Sequence, residues 1–126
     1  MNHYTNSKIL KGGIIWLYGK KEGALRACYH NGKIQTEKFD KNNLGSNNII
    51  LLDSLNSNNM ILCVPNKTYI YTSKKLILIC KNKTFVKIIK TGRKFTLLSD
   101  DGDIYELIDN KIKHILNIGF KDKQHY

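Results

Sequence analysis

Short apolar runs separated by turn residues dominate the pattern of hydrophobic and polar positions along this chain. The longest uninterrupted apolar run, Leu76-Ile77-Leu78-Ile79-Cys80, has the length of a single strand. No window repeats apolar residues at i, i+3, i+4 and i+7 over three turns, which is the spacing of an amphipathic helix. The pattern therefore predicts short antiparallel strands and no long helix.

Dipeptides between the strand-like runs predict tight hairpins. Asn31-Gly32 is the strongest of them, because both central residues of a type I′ turn need a positive φ. Asp101-Gly102, for which we also expect type I′ geometry, and Asp109-Asn110 are signals of the same kind. Residues 40–48, rich in Asn with one Gly, predict a loop.

The fold class predicted from these signals is all-β, an antiparallel meander of about eleven short strands. Three blade-like units can be drawn at a spacing of about 40 residues, but three propeller blades do not close a ring. Barrel, sandwich and propeller-like arrangements stay open, and the first two need no partner blades. We expect one all-β domain over residues 1–116 and a C-terminal tail over 117–126. The predicted strands cover residues 13–18, 24–30, 33–39, 49–52, 60–64, 68–72, 76–80, 84–89, 94–98, 103–108 and 111–116.

Charge is distributed very unevenly along the chain. The formal net charge is +11, and residues 54–99 contain no Asp or Glu. Acidic residues cluster just afterwards, at Asp100, Asp101, Asp103, Glu106 and Asp109. They lack the spacing of a calcium-binding loop, so we expect a solvated turn that pairs with neighbouring lysines. A field this one-sided attracts polyanions.

The basic segment from residue 67 to 94 is the candidate binding surface. Strand alternation places Lys67, Tyr69 and Tyr71 on one face, and lysine interleaved with tyrosine is typical of surfaces that stack unpaired bases. The competing interpretation is that both tyrosines belong to the core. The predicted nucleic-acid contacts are Lys67, Tyr69, Tyr71, Lys74, Lys75, Lys81, Lys83, Lys87, Lys90, Arg93 and Lys94, with Lys11, Lys20 and Lys21 as secondary contacts.

Nothing in the sequence indicates catalysis. The four histidines are scattered, and no nucleophile, metal-protease or phosphate-loop motif is present. We expect no cofactor, metal or small-molecule substrate. Cys28, Cys63 and Cys80 have irregular spacing, so we expect reduced, buried, structural thiols. With no apolar stretch near the N-terminus, these features predict a cytoplasmic protein away from membranes.

The function predicted from these features is non-catalytic RNA binding. The basic residues are mostly lysines, which contact phosphates but lack the bidentate fork that reads guanine. Ribosomal RNA, the most abundant structured RNA of a cell, is the expected partner, with contacts to ribosomal proteins also open. The alternative is a protein-interaction module, propeller-like or barrel-shaped, of a larger assembly with an acidic partner. A DNA-binding or viral accessory protein is a third interpretation.

The tail carries alternating cations and aromatic residues, which can order against RNA by charge and stacking. One interpretation is a frayed chain end without a role in binding. The functional hypothesis is a tail that is disordered alone and enters the partner's surface, occupying a functional site there. Deleting residues 118–126 should therefore leave the melting temperature unchanged and weaken partner binding, measured by thermal unfolding and by co-sedimentation. A large loss of stability would instead show a packed strand. The predicted contacts are Phe120, Lys121, Lys123, His125 and Tyr126.

Overall fold

The computed structural model describes residues 4–56 and 59–117, and strands make up most of them. The all-β prediction is confirmed, with β1 the one strand that the sequence pattern did not predict. The elements are β1 (Asn6–Leu10), β2 (Ile14–Tyr18), β3 (Ala24–His30), β4 (Lys33–Phe39), α1 (Lys41–Leu44), β5 (Leu51–Ser54), β6 (Met60–Val64), β7 (Lys67–Thr72), β8 (Lys75–Lys81), β9 (Phe85–Thr91), β10 (Lys94–Ser99), β11 (Asp103–Ile108) and β12 (Lys111–Asn117).

The strands form three antiparallel sheets of four strands each, and each sheet is a meander in chain order. Sheet 1 contains β1–β4, sheet 2 contains β5–β8 and sheet 3 contains β9–β12. In the described part of the chain each strand pairs only within its own sheet, so the layers form a sandwich-like stack and not a barrel. Four strands in chain order also make up a propeller blade, which is the three-unit division drawn from the sequence.

Two of the three predicted hairpin turns have the expected geometry. Asn31 and Gly32 have φ values of 52° and 77°, and Asp109 and Asn110 have 49° and 62°. The type I′ prediction for Asp101-Gly102 is wrong, because only Gly102 has a positive φ, at 91°. The turn there spans residues 100–102, since β10 ends at Ser99 and β11 begins at Asp103.

The predicted loop over residues 40–48 contains the short helix α1. The Asp40 side chain accepts a hydrogen bond from the Asn42 N–H, and the Asn43 side chain accepts one from the Asp40 N–H. This reciprocal cap satisfies amide groups that a helix start leaves free. Gly45 ends the helix at a φ of 79°. Leu44 is fully buried, so the segment closes one end of the core.

β6 lies at the centre of the stack and is buried along its whole length. Leu62 and its alternate neighbours pack in one core with sheet 1, whose Trp16 and Phe39 rings lie 5.4 Å apart. Ile61 and Cys63 pack in a second core with Phe85 of sheet 3. Sheet 2 therefore supplies one wall of both cores.

Asp53 on β5 connects the first strands of all three sheets. Its carboxylate lies 3.6 Å from the Lys8 ammonium on β1 and 3.0 Å from the Lys90 ammonium on β9. Burial acts to raise the pKa of Asp53, but hydrogen bonds from Lys90 and Ser54 and the Lys8 charge outweigh it, so the net shift is downward. The carboxylate stays ionised between its two cations.

The two-sided burial of β6 predicts similar losses of stability from either side. Leu62→Ala and Ile61→Ala, both at fully buried positions, should each lower the free energy of unfolding by about 2–5 kcal/mol, measured by urea denaturation. Ile9→Ala is the control, because Ile9 is 76% exposed, and it should cost less than about 1 kcal/mol. Equal losses for all three variants would contradict the layered core.

Candidate nucleic-acid interface

Successive strands of each sheet run in opposite directions, so the turns fall alternately at two opposite ends of the stack. The turns after odd-numbered strands share one end. Leu55 of sheet 2 and Arg93 of sheet 3 lie at such turns and line one cleft of about 470 Å³. His30 of sheet 1 and Lys74 of sheet 2 likewise line one groove of about 620 Å³. Turns after even-numbered strands share the other end, where the Asn82 N–H donates to the Asn66 carbonyl at 2.8 Å. The ends of neighbouring sheets are therefore aligned.

The first of these ends, named here the basic end, is strongly cationic. Its turns and the strand residues directly flanking them carry seven Lys or Arg side chains and one acid, Asp109. All seven cations are exposed, and none forms an ion pair with another described residue. They are Lys11, Lys33, Lys74, Lys75, Arg93, Lys94 and Lys111.

The opposite end is nearly balanced. Its turns and flanking residues carry six lysines, but five acids lie among them. The charge of the folded protein is therefore concentrated at the basic end, which presents an unneutralised surface to a polyanion. The lysines of the opposite end are Lys20, Lys21, Lys41, Lys67, Lys81 and Lys83, and its acids are Glu22, Asp40, Asp100, Asp101 and Asp103.

The predicted contact residues are thus divided by the fold. Five of them lie at the basic end and five at the opposite end. Those at the opposite end are Lys20, Lys21, Lys67, Lys81 and Lys83. Lys87 is exposed on β9, on the face of sheet 3 that points away from sheet 2. The residues that meet at the basic end are Lys11, Lys74, Lys75, Arg93 and Lys94.

The stacking platform predicted for Tyr69 and Tyr71 is wrong. Both side chains belong to the core between sheets 1 and 2, with only 7% and 3% of their surface exposed. The Tyr69 hydroxyl donates to the Leu44 carbonyl, and the Tyr71 hydroxyl donates to the Glu37 carboxylate. Burial raises the pKa of both phenols, that of Tyr71 to about 12. Rings held in this way cannot stack on a base.

Two predicted phosphate contacts are engaged within the protein. Lys83 lies 2.8 Å from both Asp101 and Asp103, so the pairing expected for the acidic turn is present, and Lys90 is held by Asp53. The expectation that the turn is solvated is wrong for Asp103, which is only 8% exposed. Hydrogen bonds from Lys83 and Ser99 lower the pKa of Asp101 to about 2, and the same carboxylates raise the pKa of Lys83. These lysines stabilise contacts between strands and are not free for a ligand.

Lys33 and Lys111 belong to the basic end but were not among the predicted contacts. Both directly follow a hairpin dipeptide, Asn31-Gly32 or Asp109-Asn110. Counting strands gives the missing signal, since alternate hairpins of a meander point to the same end. The eleven predicted strands already give this result, because both hairpins follow even-numbered predicted strands, and β1 adds only the turn that carries Lys11.

The face of sheet 1 that points away from sheet 2, named here the outer face, is uncharged except for one lysine. Its residues run in rows across the four strands, and the row nearest the basic end contains Tyr29 and Ile34, 67% and 68% exposed. The second row contains Ile9, Ile15, Ala27 and Thr36, and the third row contains Ser7, Leu17, Leu25 and Lys38.

The thiols differ in their surroundings. Cys63 is fully buried, and burial raises its pKa to about 12, whereas Cys28 and Cys80 are only half-buried. The expectation of three buried thiols is therefore correct for Cys63 alone. All three are free.

Within residues 4–56 and 59–117, no group of three or more His, Cys, Asp or Glu side chains is placed to hold a metal ion. No helix in this part of the chain is long and apolar enough to span a membrane. Comparison of the sequence and structure with family models, curated proteins and solved structures finds no match.

The predicted tail contacts cannot be placed on this surface. Phe120, Lys121, Lys123, His125 and Tyr126 lie outside the described residues. Asn117, where the tail was expected to begin, is the last residue of β12.

The acidic turn predicts a pH dependence of stability. The folded pKa of Asp101, about 2, lies below the ordinary 3.8, so the unfolded chain binds more protons between these values. The stability contributed by the Lys83 contact is complete above a pH of roughly 4 and is lost as the pH falls toward 2. Lys83→Met should flatten this part of a stability–pH curve measured by urea denaturation.

Lys87→Met is the matched control for that experiment, because Lys87 is exposed and forms no ion pair with a described residue. Its curve should follow that of the wild type. Identical curves for Lys83→Met and the wild type would refute the assigned role of the Lys83 contact.

Proposed function

We propose that this protein is a non-catalytic RNA-binding protein of the cytoplasm and that its basic end docks on structured RNA, with ribosomal RNA as the expected partner. The observation that carries the proposal is the difference between the two ends. The basic end carries seven exposed cations without ion pairs to described residues and one acid, whereas the opposite end carries six lysines and five acids. A solubilising surface needs no such separation.

The chemistry of the cations favours phosphate contact over base reading. Six of the seven are lysines, which act as compact point charges, and Arg93 alone has a planar fork. They stand on hairpin turns, so their spacing is set by the distance between neighbouring strands and sheets. Such a surface tracks the backbone of an RNA with little preference for sequence.

A second candidate, a protein-interaction module with an acidic partner, is favoured by exposed apolar residues on the face of sheet 3 that points away from sheet 2. Ile89 and Leu116 are 49% and 54% exposed there, with Leu98 and Ile104 between them. Exposed apolar surface of this kind is common at protein interfaces. Recovery of one acidic protein that survives nuclease treatment and is lost in Leu116→Ser would support this candidate.

Salt and charge variants test the RNA proposal. If about six phosphates are neutralised, affinity for a labelled RNA hairpin should fall about a thousandfold between 50 and 200 mM salt, measured by fluorescence anisotropy. Changing four cations of the basic end to Gln should reduce the slope of log affinity against log salt by about 3 to 4. The four are Lys74, Lys75, Arg93 and Lys94.

The matched control removes the same charge from the opposite end, with Gln at Lys20, Lys21, Lys41 and Lys81, all exposed. It should retain most of the wild-type slope. Equal losses in the two variants would mean that only net charge matters and would remove the basic end from the proposal. Co-sedimentation with ribosomes, lost in the basic-end variant and kept in the control, tests the choice of ribosomal RNA.

A further inference from the structure

The outer face of sheet 1 has a composition suited to a specific kind of ligand. It is a mainly apolar surface without an acid, and its hydroxyl groups come from Ser7, Tyr29 and Thr36. Ile9 at 76%, Ile34 at 68% and Ile15 at 38% exposure leave this surface open. A ligand for it needs flat apolar groups and tolerates, or carries, negative charge.

Tyr29 provides the aromatic ring on this face. It is 67% exposed, and every other Phe, Trp or Tyr in the described part of the chain is buried or half-buried. It lies on β3 opposite Ile34 and two residues from the Asn31-Gly32 turn. Lys33 follows that turn, but strand alternation places it on the face of sheet 1 toward sheet 2. The ring therefore sits where the apolar face meets the basic end.

We propose that this face binds unpaired nucleotides of RNA, with a base stacked on Tyr29 and the adjoining phosphates held by Lys11 and other cations of the basic end. The inference rests on the proposed function and adds a substrate class to it, single strands and loops in preference to duplex. Bases in a duplex are stacked on each other and cannot present their faces to a sheet, whereas unpaired bases can. Aromatic side chains on a four-stranded sheet are an established means of stacking them.

Charge favours this occupant over a second copy of the chain. The protein carries a net charge of +11, and the only charged residue on the outer face is Lys38, so a copy docked there would bring like charges together. A nucleotide has the opposite arrangement, an apolar ring next to a negative phosphate. The apolar face with cations at its rim is complementary to both parts.

The test compares two RNAs, an unstructured single strand and a perfect duplex of the same length, by fluorescence anisotropy at one salt concentration. Tyr29→Ala should bind the single strand about 5- to 100-fold more weakly than the wild type, in line with the loss of one stacked base. Tyr29→Phe should bind like the wild type, because it keeps the ring. Duplex binding and the salt slope should stay unchanged in both variants.

Cross-linking adds an independent readout. A single strand containing 4-thiouridine should cross-link to the peptide that contains Tyr29 in the wild type, and the cross-link should disappear in Tyr29→Val. Val is a strand-favouring residue, so this variant separates loss of the ring from loss of the fold, and its melting temperature should match that of the wild type.

The outcomes distinguish the inference from the proposed function. Salt-dependent RNA binding that is unchanged in Tyr29→Ala would overturn the stacking site and leave the basic end intact. Failure of the wild type to bind either RNA would contradict both the stacking site and the proposed function. Equal loss of single-strand and duplex binding, or a nuclease-resistant protein partner released by Tyr29→Ala with RNA binding unchanged, would also overturn it.

Discussion

The packing of β6 on both of its faces is the constraint on which the rest of this structure depends. A strand in a two-layer protein buries one face and leaves the other wet, but all five residues of β6 are buried. Met60, Leu62 and Val64 need an apolar layer on one side, and Ile61 and Cys63 need one on the other. One additional sheet can cover only one face of β6, so two further sheets are required. The three-layer order follows from this one segment.

The stack also organises the charge. Because each sheet is a meander in chain order, its turns fall alternately at two ends, and the Lys8–Asp53–Lys90 contact connects the first strands of the three sheets. The acids of the turn after β10 neutralise Lys83 at one end. Nothing comparable occurs at the basic end, where turn lysines stand free of ion pairs to described residues. A charge imbalance spread along the sequence thus becomes concentrated in space.

Much of the fold could be predicted from the sequence, because β-branched runs and Asn-Gly or Asp-Asn turns are local signals. β1 could not, since Asn6-Ser7-Lys8 is polar and becomes a strand only through pairing with β2. The cap of α1 depends on Asn43 acting where a longer Glu or Gln is usual, so the sequence did not predict the helix.

The candidate site was harder to predict than the fold. Tyr69 and Tyr71 alternate correctly, but alternation does not say which face of β7 is wet, and in this sheet both are covered. Tyr29 could not be singled out from the sequence, because nothing in its sequence neighbourhood shows that sheet 1 forms an outer layer.

An outer layer has a further property, because only the middle sheet has neighbours on both sides. Each outer sheet is coupled to the other through sheet 2 and through the carboxylate of Asp53, so the molecule behaves as a short one-dimensional array of nearest neighbours. In such an array, substitutions in the two terminal units combine nearly additively, except at Lys8 and Lys90, which share the Asp53 carboxylate. The surface of sheet 1 can therefore change in sequence without compensating changes in sheet 3. Sequence drift should be slowest in the central unit and fastest on the two exposed terminal faces.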